Sequence, residues 1–342
     1  MRRRWQDLRR RLLAVALPVF SSPAGPRAFA GLGLLLGLLL TVNTLNVVNS
    51  YAGRDLMTAV AEGRLGRFYQ LAAGLVCVFA ASTLVEVSTR YTEQRLALAW
   101  RNWLTRRLID RYLAGRAYQR LAFDEEVDNP DQRITEDAKA FAETTLSFLI
   151  LLVNAVLTVV AFAGVLWSIT PWLLAAVVGY AATGSLGALL LGRSLVGLNN
   201  QQQRREADLR FELARLREHA AEVARSGGEP DRKARLVERL AALVENFRRV
   251  IAVNRNLGFF IGVYNYLPQI IPAAIVAPLY IRGEVEFGAV TQAAMAFTQA
   301  LGAFSLIVSQ FQLLSTYGAV AHRLGALWEA TEPEEARPPG RG

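Results

Sequence analysis

Apolar residues along this 342-residue chain gather into long runs, separated either by very short joints or by long charged stretches rich in helix formers. A bilayer hydrocarbon core of about 30 Å needs roughly 20 apolar residues in a helix. Six runs meet that length: 27–51, 68–90, 141–169, 172–195, 257–281 and 287–319. The pattern predicts an all-α membrane protein with six transmembrane helices. A shorter apolar run, Leu12 to Phe20, is interrupted by Pro18 and cannot span, so Trp5 to Phe20 reads as an amphipathic segment on the membrane surface. A cleaved signal peptide is the rival reading, because arginines precede the run and SSPAG resembles a cleavage site; the next span follows almost at once, which favours the surface segment. The expected division is a basic N-terminus over 1–26, a six-helix membrane domain over 27–328, and a disordered tail or linker remnant over 329–342, where the Pro/Gly-rich TEPEEARPPGRG lies.

Two of the connections between spans look helical. No Gly or Pro occurs from Leu75 to Ala114, and apolar residues recur at Leu96, Trp100, Trp103, Leu104, Leu108 and Tyr112, a three-to-four spacing. A helix over 68–114 would be roughly 70 Å long, far more than the membrane requires. Leu198 to Ser226 again lacks both breakers, and after GGEP a further helix from Asp231 to Asn256 leads back into the fifth span. Both pairs of spans therefore project well beyond the lipid. At the first tip lies DNPDQRITED, 128–137, which reads as a helix start. Asn129 is a candidate N-cap, Pro130 suits the first helical position, and Gln132 can complete a capping box. Asp131, Glu136 and Asp137 add negative charge at the positive end of the helix dipole. This predicts a short capped helix across the tip, either a stable turn or a docking element.

Charge orients these elements. Lys and Arg number 38 against 29 Asp and Glu, a net +9, yet mean hydropathy is +0.24. The arginines crowd the N-terminus (Arg2, Arg3, Arg4, Arg9, Arg10, Arg11) and the two projecting segments, whereas Thr170-Pro171 has no charge and the last connection has only Arg282 and Glu284. The positive-inside rule then puts both termini and both projections in the cytoplasm. Spread in this way, the arginines argue for membrane topology and against a nucleic-acid partner.

Motifs for chemistry are few. No G-x-x-x-x-G-K-[ST] phosphate loop occurs, and RSGGEP, which matches part of an ATPase signature without its leading Leu, reads as coincidence. Cys77 is single and sits in a span, while His219 and His322 have no ligand-spaced companions. We therefore expect no catalytic residue, metal or cofactor on this chain and no ATP hydrolysis by it alone. Polar residues inside spans are costly unless they face a cavity or another helix. Gln292, Gln299 and Gln310 fall within about 20° of one line on the sixth span. Asn43 and Asn46 share a face of the first span, and Asn265 and Gln269 lie one turn apart on the fifth. These seven are candidate cavity residues, the alternative being hydrogen bonds between helices. Glu86, deep in the second span, is a candidate proton site or a partner for Arg90.

DNPDQRITEDAKAF, with LNNQQQRREADLRFELARLREHAAEVA and NRNLGFFIGVYNYLPQIIPAAIVAPLYIRGEVEFG downstream, resembles the membrane domain of D-type ABC transporters and of the related SbmA/BacA peptide importers, over about Leu17 to Trp328. The resemblance implies an ABC exporter-like fold, a domain-swapped homodimer around one cavity, and coupling segments facing ATPase domains. Asp128, Asn129, Pro130, Asp131, Gln132 and Arg133 match the first of these segments, and Glu218, Glu222 and Glu229 fall in the second. There Arg225-Ser226-Gly227-Gly228 replaces an expected aromatic pair. The implied function is a permease subunit moving peptides or other hydrophilic or amphipathic solutes across a bacterial cytoplasmic membrane. The implied partners are a second copy and an ATP-binding subunit carrying ATP and Mg. The alternatives are a proton-driven SbmA/BacA-like importer that needs no ATPase, and a non-transporting scaffold.

Overall fold

Proline and glycine punctuate the helices in the computed structural model, which describes residues 10–23, 25–121, 128–309 and 311–332. Helix α1, described from residue 10, runs to 16 and ends in a single tight turn, Leu17–Val19, carrying Pro18. It is followed by α2 (Gly25–Ala61), α3 (Leu65–Leu113) and the short α4 (Ala117–Leu121). Helix α5 then runs Pro130–Ile169, and α6 (Pro171–Glu218), α7 (Ala220–Ser226), α8 (Glu229–Ile281), α9 (Phe287–Ser309) and α10 (Phe311–Ala330) complete the chain. Among the described residues there is no strand. Thr170 alone, in extended conformation, separates α5 from α6. Gly283 at φ 75 turns the chain between α8 and α9, a conformation that a Cβ would oppose.

Five helices, α2, α3, α5, α6 and α8, are long and apolar enough to cross a membrane by length and composition. They run past the apolar segments as expected: α3 spans 49 residues, about 70 Å. The sixth apolar run, 287–319, falls on α9 and the first half of α10, with residue 310 outside the described residues.

The chain forms two compact units, 1–174 with 275–342, and 175–274. In the first unit α2, α3, α5 and α9 pack as a bundle whose outer faces keep Leu34, Val76, Phe79, Leu84 and Val156 exposed, as lipid-facing positions should be. Where the helices leave the apolar zone, a separate core gathers Val15 of α1, Leu104 and Leu108 of α3, Leu121 of α4, Ile134 and Phe141 of α5, and Leu324, Leu327 and Trp328 of α10. The ring of Phe141 stacks on Tyr317 at 5.9 Å and meets Trp100 edge-on at 6.1 Å. This core explains the apolar positions at three-to-four spacing beyond the second span: they face protein, not lipid.

The second unit joins α6 and α8, with α7 between them in the chain. Tyr180 and Tyr264 stack at 4.4 Å and 7°, and each hydroxyl donates to the other residue's backbone oxygen, at 2.6 and 3.2 Å. Gly184 and Gly187 permit this approach, since a Cβ at either would strike the ring of Tyr264 or Phe260. Farther along, Asn246 donates to Leu198 O at 3.0 Å and Gln202 Oε1 at 2.9 Å. Small residues and bonded polar groups hold helices together where apolar contact with lipid would serve equally well.

Four expectations need correction. The N-terminal segment does not simply lie on lipid: Val15 is fully buried against α3 and α10, and Arg10 and Arg11 pair with Glu329 at 3.1 and 2.9 Å. Helix α10 runs through Glu329 to Ala330 and Thr331 is buried, so the tail cannot begin at residue 329; residues 333–342 lie outside the described residues. The helix expected through Ser226 breaks at His219, leaving α7 as a separate short helix. The helix expected from Asp231 begins at Glu229, because Pro230 fits an initial helical turn.

Candidate functional site

The two exposed tips are the features that neither the bilayer nor the cores account for. The first is the start of α5. Asn129 adopts a left-handed conformation, φ 43 and ψ 62, with no side-chain cap, and Gln132 donates to Glu136 Oε2 at 3.1 Å. The expected capping box is therefore absent. The tip is also no separate helix: Pro130–Gln132 passes through one wide turn, Arg133–Asp137, into the long helix, so displacement of the tip acts directly on a span.

Two arginines lock this tip to α10. Arg133, 4% exposed, folds back so that Nε donates to Asp128 O at 2.9 Å and Nη2 to Asp128 Oδ1. Its Nη1 donates to Arg323 O at 2.9 Å. Arg323 in turn grips Asp137, itself 4% exposed, through two hydrogen bonds of 2.8 and 2.7 Å. Such bidentate, charge-assisted contacts are directional as well as strong. The hydrogen bond donated by Arg133 holds the Asp128 carboxyl below its ordinary range, and donating to the Asp137 carboxylate raises Arg323 above its own. Behind the clasp, Arg111 donates to Trp328 O at 3.0 Å and lies 4.2 Å from the Trp328 ring centre, and burial lowers its affinity for a proton.

Arg133 is thus an internal tie and not part of a docking face. Asp128, Asn129, Asp131 and Gln132 are exposed, joined by Thr135 and Glu136, while Pro130 is half-buried. Asp137 serves the clasp more than the helix dipole. The clasp partner Arg323 was missed because it lies 186 residues from Asp137, beyond the reach of local spacing.

At the second tip, α7 lies between His219 and Gly227, whose φ of 66 ends it with Gly228 N–H donating to Val223 O at 3.2 Å. RSGGEP is therefore a helix-ending turn. Glu218, Glu222 and Glu229 are all exposed, and Val223 is the buried residue of α7.

The candidate cavity residues divide. Asn43, 4% exposed, donates to Leu39 O at 2.9 Å and Asn154 Oδ1 at 3.0 Å and accepts from Thr158 at 2.9 Å, so it ties α2 to α5. Cavity lining is the wrong role for it in this structure. Gln292 is 2% exposed with Nε2 lacking a partner among the described residues, whereas Gln299 is exposed one heptad on. Asn46 is half-buried. Asn265 and Gln269 are exposed and belong to the other unit. Gln310 lies outside the described residues. Glu86 forms a 2.7 Å ion pair with Arg90 one turn on. Among the described residues no group of acidic, His or Cys side chains could hold a metal.

A helical membrane region with projecting helices and two exposed tips is the architecture of a transporter's membrane domain. The chain matches the family model described as ABC transporter transmembrane region 2 over residues 16–281, and it belongs to that family. It is 36% identical over 320 residues to ABC transporter D family member 2, chloroplastic, of Arabidopsis thaliana, covering 94% of this chain and 45% of that one. It is 37% identical over 304 residues to an uncharacterized ABC transporter ATP-binding protein of Synechocystis, covering 87% and 46%. With the inner membrane ABC transporter ATP-binding protein YddA of Escherichia coli it shares 24% over 324 residues, covering 90% and 58%. The chain spans about half the length of these relatives, and the part matched by the family model is a membrane region. It is a multi-pass membrane protein of the ABC class.

Proposed function

We propose that this chain is the substrate-conducting half of an ATP-driven transporter, whose ATP-binding domain engages the exposed faces at 128–136 and 218–229. The observation that carries the reading is the continuity of the first tip with α5: force applied at Asp131 reaches a membrane span without an intervening hinge. The relatives named for ATP binding supply the expected engine. Six spans, both termini in the cytoplasm and a bacterial inner membrane are the topology we propose.

The functional unit is proposed to be a domain-swapped homodimer. Val237, Leu240, Val244, Phe247 and Ile251 stay exposed at three-to-four spacing on the part of α8 beyond the apolar span. Such a stripe in water favours a helical partner. Gln299 on α9 and, separately in the other unit, Asn265 and Gln269 on α8 are exposed amides that suit hydrophilic or amphipathic cargo, with peptides the first class to test. A proton-driven SbmA/BacA-like mechanism draws less support, because Glu86 already has Arg90 as a partner.

Purification of the tagged chain from its native membrane in mild detergent, followed by reconstitution, tests the proposal. ATP-dependent movement of a peptide into vesicles is expected. Uptake driven by a pH gradient alone would replace it with the proton-coupled mechanism.

A further inference from the structure

In the first unit, a cavity of about 700 Å³ opens between α1, α2, α3 and α5. This is within the roughly 300–1,000 Å³ range of ligand sites. Its walls are almost wholly apolar, with Leu13, Leu32, Trp103 and Leu149 from the four helices. Among the described residues its lining contains Arg27 and Arg106 and no carboxylate. Arg106 is steadied by Nε donating to Asn102 Oδ1 at 3.1 Å.

The cavity's level is set by sequence. Arg27 opens the first apolar span and Phe141 the third, and the cavity reaches Thr145 and Leu149 just inside the latter. Apolar walls therefore meet one cation, Arg27, where the hydrocarbon begins, and a second, Arg106, on the part of α3 that projects past the second span. Helix α1 and the turn after it carry the same pattern outward: Leu13 and Leu17 are 43% and 55% exposed, so the crevice continues into a surface suited to lipid. Arginines at this depth favour an anionic headgroup, whereas a peptide would bring polar backbone into walls that offer it few partners.

We infer that this crevice binds one anionic phospholipid from the surrounding leaflet, with an acyl chain between α1 and α3 and the phosphate against Arg27 and Arg106. The inference needs only that the chain be embedded in a bilayer, and it stands apart from the transport proposal. Because α1 is also tied to Glu329, the lipid would brace the element that packs against α10.

The test uses the full chain in phosphatidylcholine vesicles containing phosphatidylglycerol with a photoreactive acyl chain in both leaflets. Adducts are expected on 10–32 and 96–106. Unlabelled phosphatidylglycerol should compete, while added phosphatidylcholine should not. Substituting Arg27→Gln together with Arg106→Gln should lower those adducts about tenfold, leaving labelling of the outer face of α3 near Phe79 as an internal measure of insertion. Ala99→Phe, which fills the cavity without altering charge, should lower them similarly. Equal labelling by a phosphatidylcholine probe, adducts unchanged in both variants, or displacement by a free fatty acid in preference to phosphatidylglycerol would each overturn the assignment.

Discussion

Asp137 and Arg323 contribute most where burial removes competition from water. Asp137 is almost wholly enclosed while Arg323 remains 44% exposed, so screening reduces the contribution of the pair. We expect Asp137→Ala to cost about 1–3 kcal/mol, read as a lower unfolding midpoint and faster hydrogen exchange in α10. Asp128 behaves differently because its carboxyl is exposed and its proton affinity is lowered by Arg133. A depressed carboxyl stabilises the fold above its unfolded value near about pH 4 and loses that contribution as pH falls through the lower folded value. Between pH 5 and 8 the Asp128→Asn variant should therefore show a constant offset from the parent in thermal unfolding; an offset that varied across that window would place the titrating group elsewhere. Glu86 and Arg90 pair within the second span, so Glu86→Gln leaves the Arg90 charge without its carboxylate and should lower the unfolding midpoint. ATP-driven uptake should survive it.

At the scale of elements, the periodicity of α3 was readable because Leu104 and Leu108 obey one local rule whichever partner covers them. That partner could not be read, since α10 and α1 approach from the two ends of the chain. Asn129 misled for a related reason: side-chain caps and left-handed turns both favour Asn, and the tie from Arg133 to Asp128 decides between them. The amides show the same limit. A polar residue in a span announces that it has a partner, but Asn43 found Asn154 and Thr158 where a water-filled path was equally compatible with its spacing. Replacing Phe141 by Ala should remove about 3–5 kcal/mol from the core beneath the first tip, measured by denaturation in detergent, with α10 released first. Gly184→Leu should force α6 from α8 and abolish the Tyr180–Tyr264 stack, detectable as lost tyrosine-pair protection in oxidative footprinting.

For the whole molecule, membrane class and helical projections follow from apolar run length and the scarcity of breakers, so they were legible early. The clasp between the first tip and α10 was not, yet it changes what the tip can do. With Arg133 withdrawn into the structure, the outward face is left to Asp131, Gln132, Thr135 and Glu136, and motion at that face is shared between α5 and α10. The central claim is that this face and the one around Glu222 receive force from an ATP-binding domain. The most direct measurement places a photoreactive residue at Asp131 or Glu222 in the native membrane, irradiates, and identifies the adducts by mass spectrometry. The account predicts cross-links to a polypeptide carrying a phosphate-binding loop, from both positions and strengthened by ATP. Labelling of lipid or water alone, with the chain intact and α10 still protected, would contradict it.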